Sequence, residues 1–275
     1  MGTTVMADAA DGWLGLRGRL CVVTGAAGGL GRAIAAGFAQ AGARLVLLDR
    51  DQAACEDAAR ALGGADALAI ACDISDPETV AAAAAHALRD AGPCDVLVNN
   101  AGLLRPGPLA SVSLADWNAL MAVNVTGYLL CAQAFGAQML QKGKGAIVHT
   151  ASIASRFPQP FSGAYSVSKA GVVMLSQQIA VEWGPQGIRS NVVSPGLVRT
   201  PMSEAFYQAP GVAERRAAMV PVGRVAGPDD MADVVLFLAS DRARYVNGED
   251  ICVDGGVGRT LMGLIPRPGF ERGDG

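Results

Sequence analysis

The sequence predicts an α/β fold: a single doubly wound domain whose seven-stranded parallel sheet carries helices on both faces. Two observations indicate this class. Short apolar runs recur along the chain at intervals that leave room for one helix between them, and each run is apolar throughout. Continuous apolar strands separated by helices are typical of a parallel sheet that is buried on both faces and joined by right-handed crossovers.

The predicted elements follow one another from residue 19 to residue 256. Strands are expected at residues 20–23, 45–48, 67–71, 96–98, 146–149, 189–193 and 251–253. Apolar spacing of three and four predicts helices at residues 30–41, 80–88, 115–140 and 164–183. We therefore expect one domain at residues 19–256, a leader at residues 1–18 and a Gly- and Pro-rich tail at residues 257–275.

Composition excludes several classes of protein. Of the 275 residues, 17% are charged and 51% are hydrophobic, and the net charge is -3, so neither disorder nor a nucleic-acid partner is expected. No window of about 18 residues is uniformly apolar, and the N-terminus does not resemble a secretory signal. We expect a cytoplasmic protein without a membrane partner. The six cysteines and two histidines are scattered, which predicts neither a disulfide framework nor a metal site.

A glycine-rich turn directly follows the first predicted strand. It contains Gly25, Gly28, Gly29, Leu30 and Gly31, and a helix begins there. Glycines let the backbone approach a phosphate group, while the free N–H groups and the positive end of the helix dipole attract it. The order strand, turn, helix favours a Rossmann-like dinucleotide site over an ordinary tight turn.

The end of the second strand bears on which dinucleotide binds. Asp49 follows Gly25 by 24 residues, where an acid can accept both ribose hydroxyls of an adenosine and repel a 2′-phosphate. A second interpretation makes Asp49 the N-cap of the next helix, and both can hold together. Arg50 offers a guanidinium to a 2′-phosphate, but position 28 is glycine rather than a basic residue. These residues favour NAD and leave NADP possible.

A second group of polar residues follows the fourth and fifth strands. Tyr165 and Lys169 lie one turn apart on a predicted helix, where the ammonium, together with a cationic nicotinamide ring, would lower the pKa of a proton-exchanging phenol. Ser152 follows the fifth strand, at the edge where its hydroxyl can orient a carbonyl oxygen. Asn124 interrupts an apolar helical stretch, so its buried amide is expected to have a structural or relay role. A Tyr-x-x-x-Lys pair alone usually lies on a solvated helix face. The catalytic interpretation therefore depends on the neighbouring residues Ser152 and Asn124.

Together these motifs resemble those of the short-chain dehydrogenase/reductase family over residues 19–256. The glycine turn matches the family's T-G-x(3)-G-x-G, residues 99–102 match its N-N-A-G motif, and residues 254–256 match the D-G-G after its last strand. The residues that match its catalytic tetrad are Asn124, Ser152, Tyr165 and Lys169.

The resemblance implies a role for each matching residue. Tyr165 would remove the alcohol proton while Ser152 fixes the oxygen, and Lys169, with a water on Asn124, would relay the proton outward. Further cofactor contacts are implied for Asp73, Ile74, Asn100, Ala101, Gly102, Pro195, Gly196, Val198 and Thr200, with Lys169 on the nicotinamide ribose. The resemblance also implies a homotetramer, with the helices at residues 115–140 and 164–183 at one interface and the last strand at another.

The expected function is hydride transfer between NAD and a secondary alcohol or ketone. Met202, Phe206, Tyr207 and Met219 lie in a segment similar to the family's mobile substrate loop, and Phe157 and Phe161 lie between Ser152 and Tyr165, which suggests an apolar or cyclic substrate. Arg105 and Arg156 leave an acidic substrate open. The alternatives are an NADPH-dependent reductase of 3-oxoacyl or related ketones and a non-catalytic dinucleotide-binding protein.

Overall fold

The computed structural model describes residues 12–265 and confirms the predicted fold class. The strands are β1 Leu20–Thr24, β2 Arg44–Asp49, β3 Ala67–Ala71, β4 Val96–Asn99, β5 Gly145–Thr150, β6 Ile188–Pro195 and β7 Asp250–Val253. They form one parallel sheet in the order β3-β2-β1-β4-β5-β6-β7. Each strand predicted from the sequence lies within one of these.

Helices connect the strands across both faces of the sheet. Over the described residues they are α1 Gly29–Gln40, α2 Gln52–Arg60, α3 Pro77–Asp90, α4 Leu114–Met121, α5 Gly127–Lys142, α6 Tyr165–Trp183, α7 Pro201–Glu204, α8 Val212–Met219 and α9 Pro228–Ala239. The single helix expected at residues 115–140 is interrupted by a π-helical turn at Ala122–Thr126, which joins α4 to α5. Four helices, α2, α7, α8 and α9, were not among those predicted.

Both faces of each central strand are buried, which explains why the strands read as continuous apolar runs. In β1, Cys21 and Val23 pack into the core beneath α1 and α9. Leu20 and Val22 point the opposite way, into the core beneath α3, α5 and α6. Because side chains alternate along a strand, one strand contributes residues to both cores.

The strand order creates the crevice in which the predicted site residues meet. From β1 the chain moves outward to β2 and β3, and then crosses back to β4 on the other side of β1. Loops that follow β1 and β4 therefore diverge at the carboxyl edge of the sheet, as at other topological switch points. Asn100 bridges the two loops, since its side-chain amide donates to the carbonyl oxygens of Thr24 (3.0 Å) and Gly25 (3.2 Å).

One stretch, Leu114–Lys142, is long and apolar enough to cross a membrane by length and composition alone, which the sequence analysis did not anticipate. This stretch lies on the sheet as a core helix. Tyr128, Phe135 and Met139 on its inner face are completely buried against β4 and β5.

The two ends are described only in part. Of the expected leader, residues 1–11 lie outside the described residues, whereas Leu16 is fully buried in the core. The carbonyl of Trp13 accepts a hydrogen bond of 2.6 Å from Arg242 Nε. Residues 266–275 of the expected tail also lie outside the described residues, and the apolar residues Leu261, Met262 and Ile265 before them are exposed. The domain boundaries at 19 and 256 stay predictions.

Candidate active site

A cleft of about 430 Å³ opens at the carboxyl edge of the sheet, along the crevice between the loops that follow β1 and β4. It brings together all the residues for which cofactor contacts were predicted, together with Ser152. Those residues are Gly25, Gly28, Gly29, Leu30, Gly31, Asp49, Arg50, Asp73, Ile74, Asn100, Ala101, Gly102, Tyr165, Lys169, Pro195, Gly196, Val198 and Thr200.

The glycine turn leaves its backbone open toward the cleft. Gly25 has a φ of +63°, and a Cβ there would lie 2.6 Å from the Cα of Ala101. A Cβ on Gly31 would lie 2.1 Å from the carbonyl oxygen of Gly25. No side chain caps α1, and its first turn has no acidic residue. The N–H groups and the positive dipole end of α1 are thus free to bind an anion, which fits the pyrophosphate of a dinucleotide.

Asp49 stands at the end of β2 and its carboxylate turns toward the glycine turn. It accepts hydrogen bonds from the backbone N–H groups of Ala27 (3.1 Å) and Asp51 (3.3 Å). The interpretation of Asp49 as a helix N-cap is wrong, because α2 begins three residues later, at Gln52. Asp51 caps α2 by accepting from the N–H of Ala54 at 3.0 Å. Asp49 is therefore free of that role and lines the cleft.

The adenine end of the cleft carries one cation, Arg50, and two carboxyl groups, those of Asp49 and Asp73. The hydroxyl and N–H of Ser75 donate to Asp73 at 2.6 and 2.9 Å, and they lower its pKa, with a smaller contribution from the positive charge of Arg50. Arg50 is exposed beside Asp49. Asp49 and Arg50 thus present opposite charges where the adenosine ribose would bind.

Ser152, Tyr165 and Lys169 meet at the other end of the cleft. Ser152 is the second residue after β5, and its hydroxyl accepts from the N–H of Ala154 at 3.1 Å. Tyr165 is the first residue of α6, and Lys169 lies one turn further on the same face, with Nζ 5.7 Å from the Tyr165 ring centre. All three side chains line the cleft.

Lys169 is buried although it is a lysine, with an exposed fraction of 3%. Its Nζ donates to the carbonyl oxygen of Thr150 at 2.8 Å. Burial lowers its pKa from 10.5 to about 7. A lysine in this position can change its protonation state near neutral pH, which suits a proton relay.

The protein groups around Tyr165 do not by themselves give the lowered pKa that was expected from Lys169 together with a cationic nicotinamide ring. Burial raises the pKa of Tyr165, and the hydrogen-bonding interaction with Ser152 offsets only part of this rise. The nearby ammonium was expected to lower it, but Lys169 is itself poorly solvated and readily loses its charge. The protein residues alone therefore hold Tyr165 as a neutral phenol, and lowering its pKa requires a further positive charge in the cleft.

Asn124 supports the cleft from behind rather than facing it. It is completely buried in the π-helical turn. Its amide exchanges two hydrogen bonds with the backbone of Leu103, of 2.8 and 3.0 Å, and donates a third to Ser168 Oγ at 3.0 Å. The side chain thereby ties α6 and the loop after β4 to the π-helical turn.

Asn99 is also structural. Its side-chain amide donates to the carbonyl of Tyr128 (3.1 Å) and to Nδ1 of the fully buried His149 (3.2 Å). Burial lowers the pKa of His149 to about 3, so the ring is neutral and serves the packing of β4 against β5. Within residues 12–265, no group of three His, Cys, Asp or Glu residues is arranged to hold a metal ion.

Several residues expected near the substrate lie elsewhere. Phe157 and Phe161 are absent from the cleft lining and are exposed, Phe161 with a positive φ of 58°. Arg105 pairs with Asp116, and Arg156 pairs with Asp250. Neither arginine lines the cleft, because each is held by an acid of the protein itself.

Other residues that line the cleft were not predicted as site residues. They are Cys72, Leu103, Val123, Thr150, Ala151, Pro201 and Met202, of which Met202 had been assigned only to the substrate loop. Cys72, Leu103, Ala151 and Pro201 adjoin a predicted site residue along the chain, and Thr150 and Met202 lie two residues from one, so this proximity was the available signal. Val123 lies in the π-helical turn, which widens the helix locally and has no clear mark in the sequence.

The comparisons with known proteins agree with this geometry. A family model described as enoyl-(acyl carrier protein) reductase matches residues 25–258. D-threitol dehydrogenase of Mycolicibacterium smegmatis is 41% identical over 88% of this chain and 93% of its own length. Cis-4-hydroxycyclohexanecarboxylate dehydrogenase of Sinomonas cyclohexanicum is 40% identical over 86% of this chain and 96% of its own.

Solved structures show the same fold. A gluconate 5-dehydrogenase from Burkholderia cenocepacia, in complex with NADP and tartrate, superposes with a TM-score of 0.85 at 33% identity, covering 89% of this chain and 96% of that one. The chain belongs to the short-chain dehydrogenase/reductase family. Within it, the chain is an oxidoreductase that interconverts alcohol and carbonyl groups with a nicotinamide dinucleotide.

Proposed function

We propose that this chain oxidises a secondary alcohol to a ketone with NAD, using Tyr165 as the general base. The observation that supports this most strongly is the convergence of Ser152, Tyr165 and Lys169 at one end of a cleft whose other end carries the glycine turn and Asp49. A chain that only sensed dinucleotides would have no need for a buried lysine beside a tyrosine.

Each side chain has a task that its surroundings support. Ser152 donates to the substrate oxygen and orients it, and Tyr165 takes the hydroxyl proton. A nicotinamide dinucleotide held by the glycine turn and Asp49 would supply the hydride acceptor and a positive charge beside Tyr165. Lys169 passes the proton on, assisted by its pKa of about 7. Because the side chain of Asn124 is engaged with Leu103 and Ser168, we propose that it serves the relay by shaping the π-helical turn.

NAD rather than NADP is proposed because Asp49 turns its carboxylate into the cleft where the adenosine ribose would bind. A 2′-phosphate would meet this negative charge. Arg50 lines the same part of the cleft, and the gluconate 5-dehydrogenase structure holds NADP. These two observations support the alternative, an NADPH-dependent reductase of 3-oxoacyl or related ketones.

For the substrate we propose a small secondary alcohol that is apolar or cyclic around the carbinol. Leu103, Val123 and Met202 give the cleft an apolar wall near Tyr165. The similar dehydrogenases act on a polyol in one case and on a ring alcohol in another. A panel of cyclic, aromatic, acyl and polyol secondary alcohols, assayed with NAD and NADP in parallel, identifies the class by the appearance of reduced cofactor.

We also propose a cytoplasmic homotetramer. Val167, Met174 and Val181 stand at seven-residue intervals on one face of α6 and are 48%, 61% and 75% exposed. Such an apolar stripe on a long helix favours packing against a second copy of the chain. Light scattering on the purified protein measures the mass of the assembly.

The variant Tyr165→Phe tests the catalytic proposal. It removes only the phenolic hydroxyl, so NADH should still bind and kcat should fall by about 10²–10⁴-fold. Fluorescence titration with NADH checks the binding, and steady-state kinetics on the best alcohol of the panel measures kcat. If the variant keeps the activity of the parent, the catalytic assignment of Tyr165 fails. If neither protein turns over any alcohol or ketone, the non-catalytic alternative is favoured.

A further inference from the structure

The proposed catalytic serine stands at the start of a short turn whose far end is anchored to the edge strand β7, two strands away from β5. After Ser152 the chain forms a 3₁₀ turn, Ile153–Ser155, closed by hydrogen bonds from Ser155 N–H to the Ser152 carbonyl (2.9 Å) and from Arg156 N–H to the Ile153 carbonyl (3.0 Å). Arg156 ends the turn. Its guanidinium reaches Asp250, the first residue of the edge strand β7.

The contact between Arg156 and Asp250 is specific in geometry. Arg156 Nε donates to Asp250 Oδ2 at 2.8 Å, and Nη2 donates to the carbonyl oxygen of Asp250 at 2.7 Å. The Asp250 side chain is only 2% exposed, whereas that of Arg156 is 39% exposed. A carboxylate that is nearly fully buried needs these partners, since an unpaired buried charge is costly.

The same carboxylate also holds the strand that ends at the cleft. Ser194 Oγ donates to Asp250 Oδ1 at 2.5 Å. Ser194 lies on β6, and the next two residues, Pro195 and Gly196, line the cleft on the side assigned to the nicotinamide. One buried carboxylate therefore connects the turn that carries Ser152 to the strand end that faces the nicotinamide.

We propose that Arg156 and Asp250 are positioning residues, which hold the Ser152 turn in register with the end of β6 so that the carbinol carbon and the nicotinamide ring meet in the reactive geometry. The inference rests on the proposed function, because it assumes that Ser152 orients the substrate oxygen. Hydride transfer tolerates little misplacement, and an error of about 1 Å can cost about 10²-fold in rate.

Two other roles for Arg156 fit the contacts less well. An arginine that binds an acidic substrate would point into the cleft. Arg156 does not line the cleft, and its Nε and Nη2 both donate to Asp250. An arginine with a purely structural role would stabilise the sheet as a whole. Arg156 instead joins one turn, that of Ser152, to one strand end, that of β6, and both lead to the cleft.

The test compares Arg156→Met, Arg156→Lys and Asp250→Asn with the parent enzyme. Asp250→Asn keeps an acceptor for Ser194 but presents an N–H group to Arg156 Nε, so it breaks the side-chain contact without changing the volume and leaves the bond from Nη2 to the backbone carbonyl. Arg19→Met is the control, because Arg19 also forms an arginine–aspartate pair, with the more exposed Asp241, at the opposite edge of the sheet. The readouts are kcat on the best alcohol of the panel, the dissociation constant of NADH, and amide hydrogen exchange over residues 152–157.

We expect kcat to fall by about 10- to 100-fold in Arg156→Met and Asp250→Asn, while the dissociation constant of NADH stays within about twofold. Exchange at residues 154–157 should become faster, and exchange in the strands should not change. Arg156→Lys retains the charge and should recover part of kcat, which a loss of bulk stability would not explain. Arg19→Met should retain the kcat of the parent.

The inference is overturned if Arg156→Met and Asp250→Asn keep kcat within about twofold at a temperature where they are folded. It is also overturned if exchange rises throughout the sheet and NADH affinity falls with kcat, because this marks a global structural role. If Arg156→Met does not fold, the same criteria for kcat, NADH affinity and hydrogen exchange are applied to Asp250→Asn, with Arg156→Lys as the variant that retains the charge. Tyr165→Phe separates this failure from failure of the proposed function: an inactive Tyr165→Phe beside a fully active Asp250→Asn rejects only the positioning role.

Discussion

The polar groups at the two edges of the parallel sheet differ in how many hydrogen-bond and ion-pair partners they have within the protein. At the carboxyl edge, the N-terminus of α1 has no capping side chain, and Lys169 has only a carbonyl oxygen as its hydrogen-bond acceptor. At the amino edge, Asp241 pairs with Arg19 and Lys144, and Asp95 pairs with Lys142. Arg189 there donates to the carbonyls of Leu238 (2.8 Å) and Ser240 (3.0 Å).

Cavity size does not mark the functional edge. The amino edge contains a cavity of about 570 Å³, against about 430 Å³ for the cleft at the carboxyl edge. Four cations, Arg19, Lys144, Arg189 and Arg244, and two carboxylates, Asp95 and Asp241, line it. Both carboxylates are paired with cations and Arg189 donates to backbone carbonyls, so most of these polar side chains already have partners within the protein. The carboxyl edge keeps free N–H groups and a poorly solvated lysine, both of which cost stability until a ligand binds. Polar groups that lack a full set of partners within the protein therefore mark the functional edge better than cavity size does.

The largest effect is expected for Lys169→Met. Loss of the ammonium removes the relay and the cation beside Tyr165, so kcat/KM should fall by about 10³-fold. Stability should not fall with it. The burial that lowers the pKa of Lys169 to about 7 reflects an energetic cost of the charged form, and the Thr150 carbonyl retains the hydroxyl of Tyr128 as a donor at 3.2 Å. Chemical unfolding at pH 7 and steady-state kinetics measure the two quantities.

A drop in unfolding free energy of more than about 2 kcal/mol in Lys169→Met would place this lysine among the stabilising residues, and the contrast between the edges would fail there. Lys142→Met is the comparison at the amino edge. Lys142 pairs with Asp95 far from the cleft, so its removal should leave kcat/KM unchanged.

Asp49→Ser addresses the cofactor end of the cleft. Removing the carboxylate abolishes its repulsion of a 2′-phosphate while Arg50 stays in place, so the ratio of kcat/KM for NAD to that for NADP should fall by at least about tenfold, or about 1.4 kcal/mol. Parallel assays with the two cofactors measure the ratio. If the parent already prefers NADP by more than about tenfold, the assignment of NAD is wrong. Asp51→Ser is the control, since it changes the neighbouring acid that caps α2.

The buried lysine also predicts a pH dependence of stability. The pKa of Lys169 is about 7 in the folded protein against 10.5 for an ordinary lysine, so between these values the unfolded chain binds more protons. Stability from this group therefore rises with pH above 7, by up to about 1.4 kcal/mol per pH unit, and has no slope below it. Unfolding of the parent and of Lys169→Met at pH 7.0 and 8.5 isolates the effect: the advantage of the variant should shrink at the higher pH.

Structural features that depend on residues close together in the sequence could be predicted, and the strands and the cofactor residues are of this kind. The strands were predictable because burial on both faces makes each one continuously apolar, as Leu20 to Val23 illustrate. The predicted cofactor residues could be placed because they sit at strand ends, which a parallel sheet gathers along one edge. The family match of residues 25–258 confirms the class inferred from these motifs.

Features that depend on contacts between distant segments were not predictable. The direction of the Tyr165 pKa is set by the burial of its own side chain, which depends on how α6 packs against the turn after β5. The choice between Asp49 and Asp51 as helix cap depends on where β2 ends. The sequence left Arg156 open as a ligand for an acidic substrate. Its partner, Asp250, could not be recognised because it lies 94 residues away.

The smallest effect is expected at the amino edge, from Arg19→Met. This change removes the contact with Asp241, whose carboxylate retains Lys144 at 3.6 Å. It also removes a positive charge that disfavours the charged form of the nearby Arg189. These effects partly cancel, so the free energy of unfolding should fall by only about 1 kcal/mol, while kcat and NADH affinity stay as in the parent. Urea unfolding measures the loss. An altered kcat in a folded Arg19→Met protein would mean that the amino edge is coupled to the cleft, and that its paired charges serve more than stability.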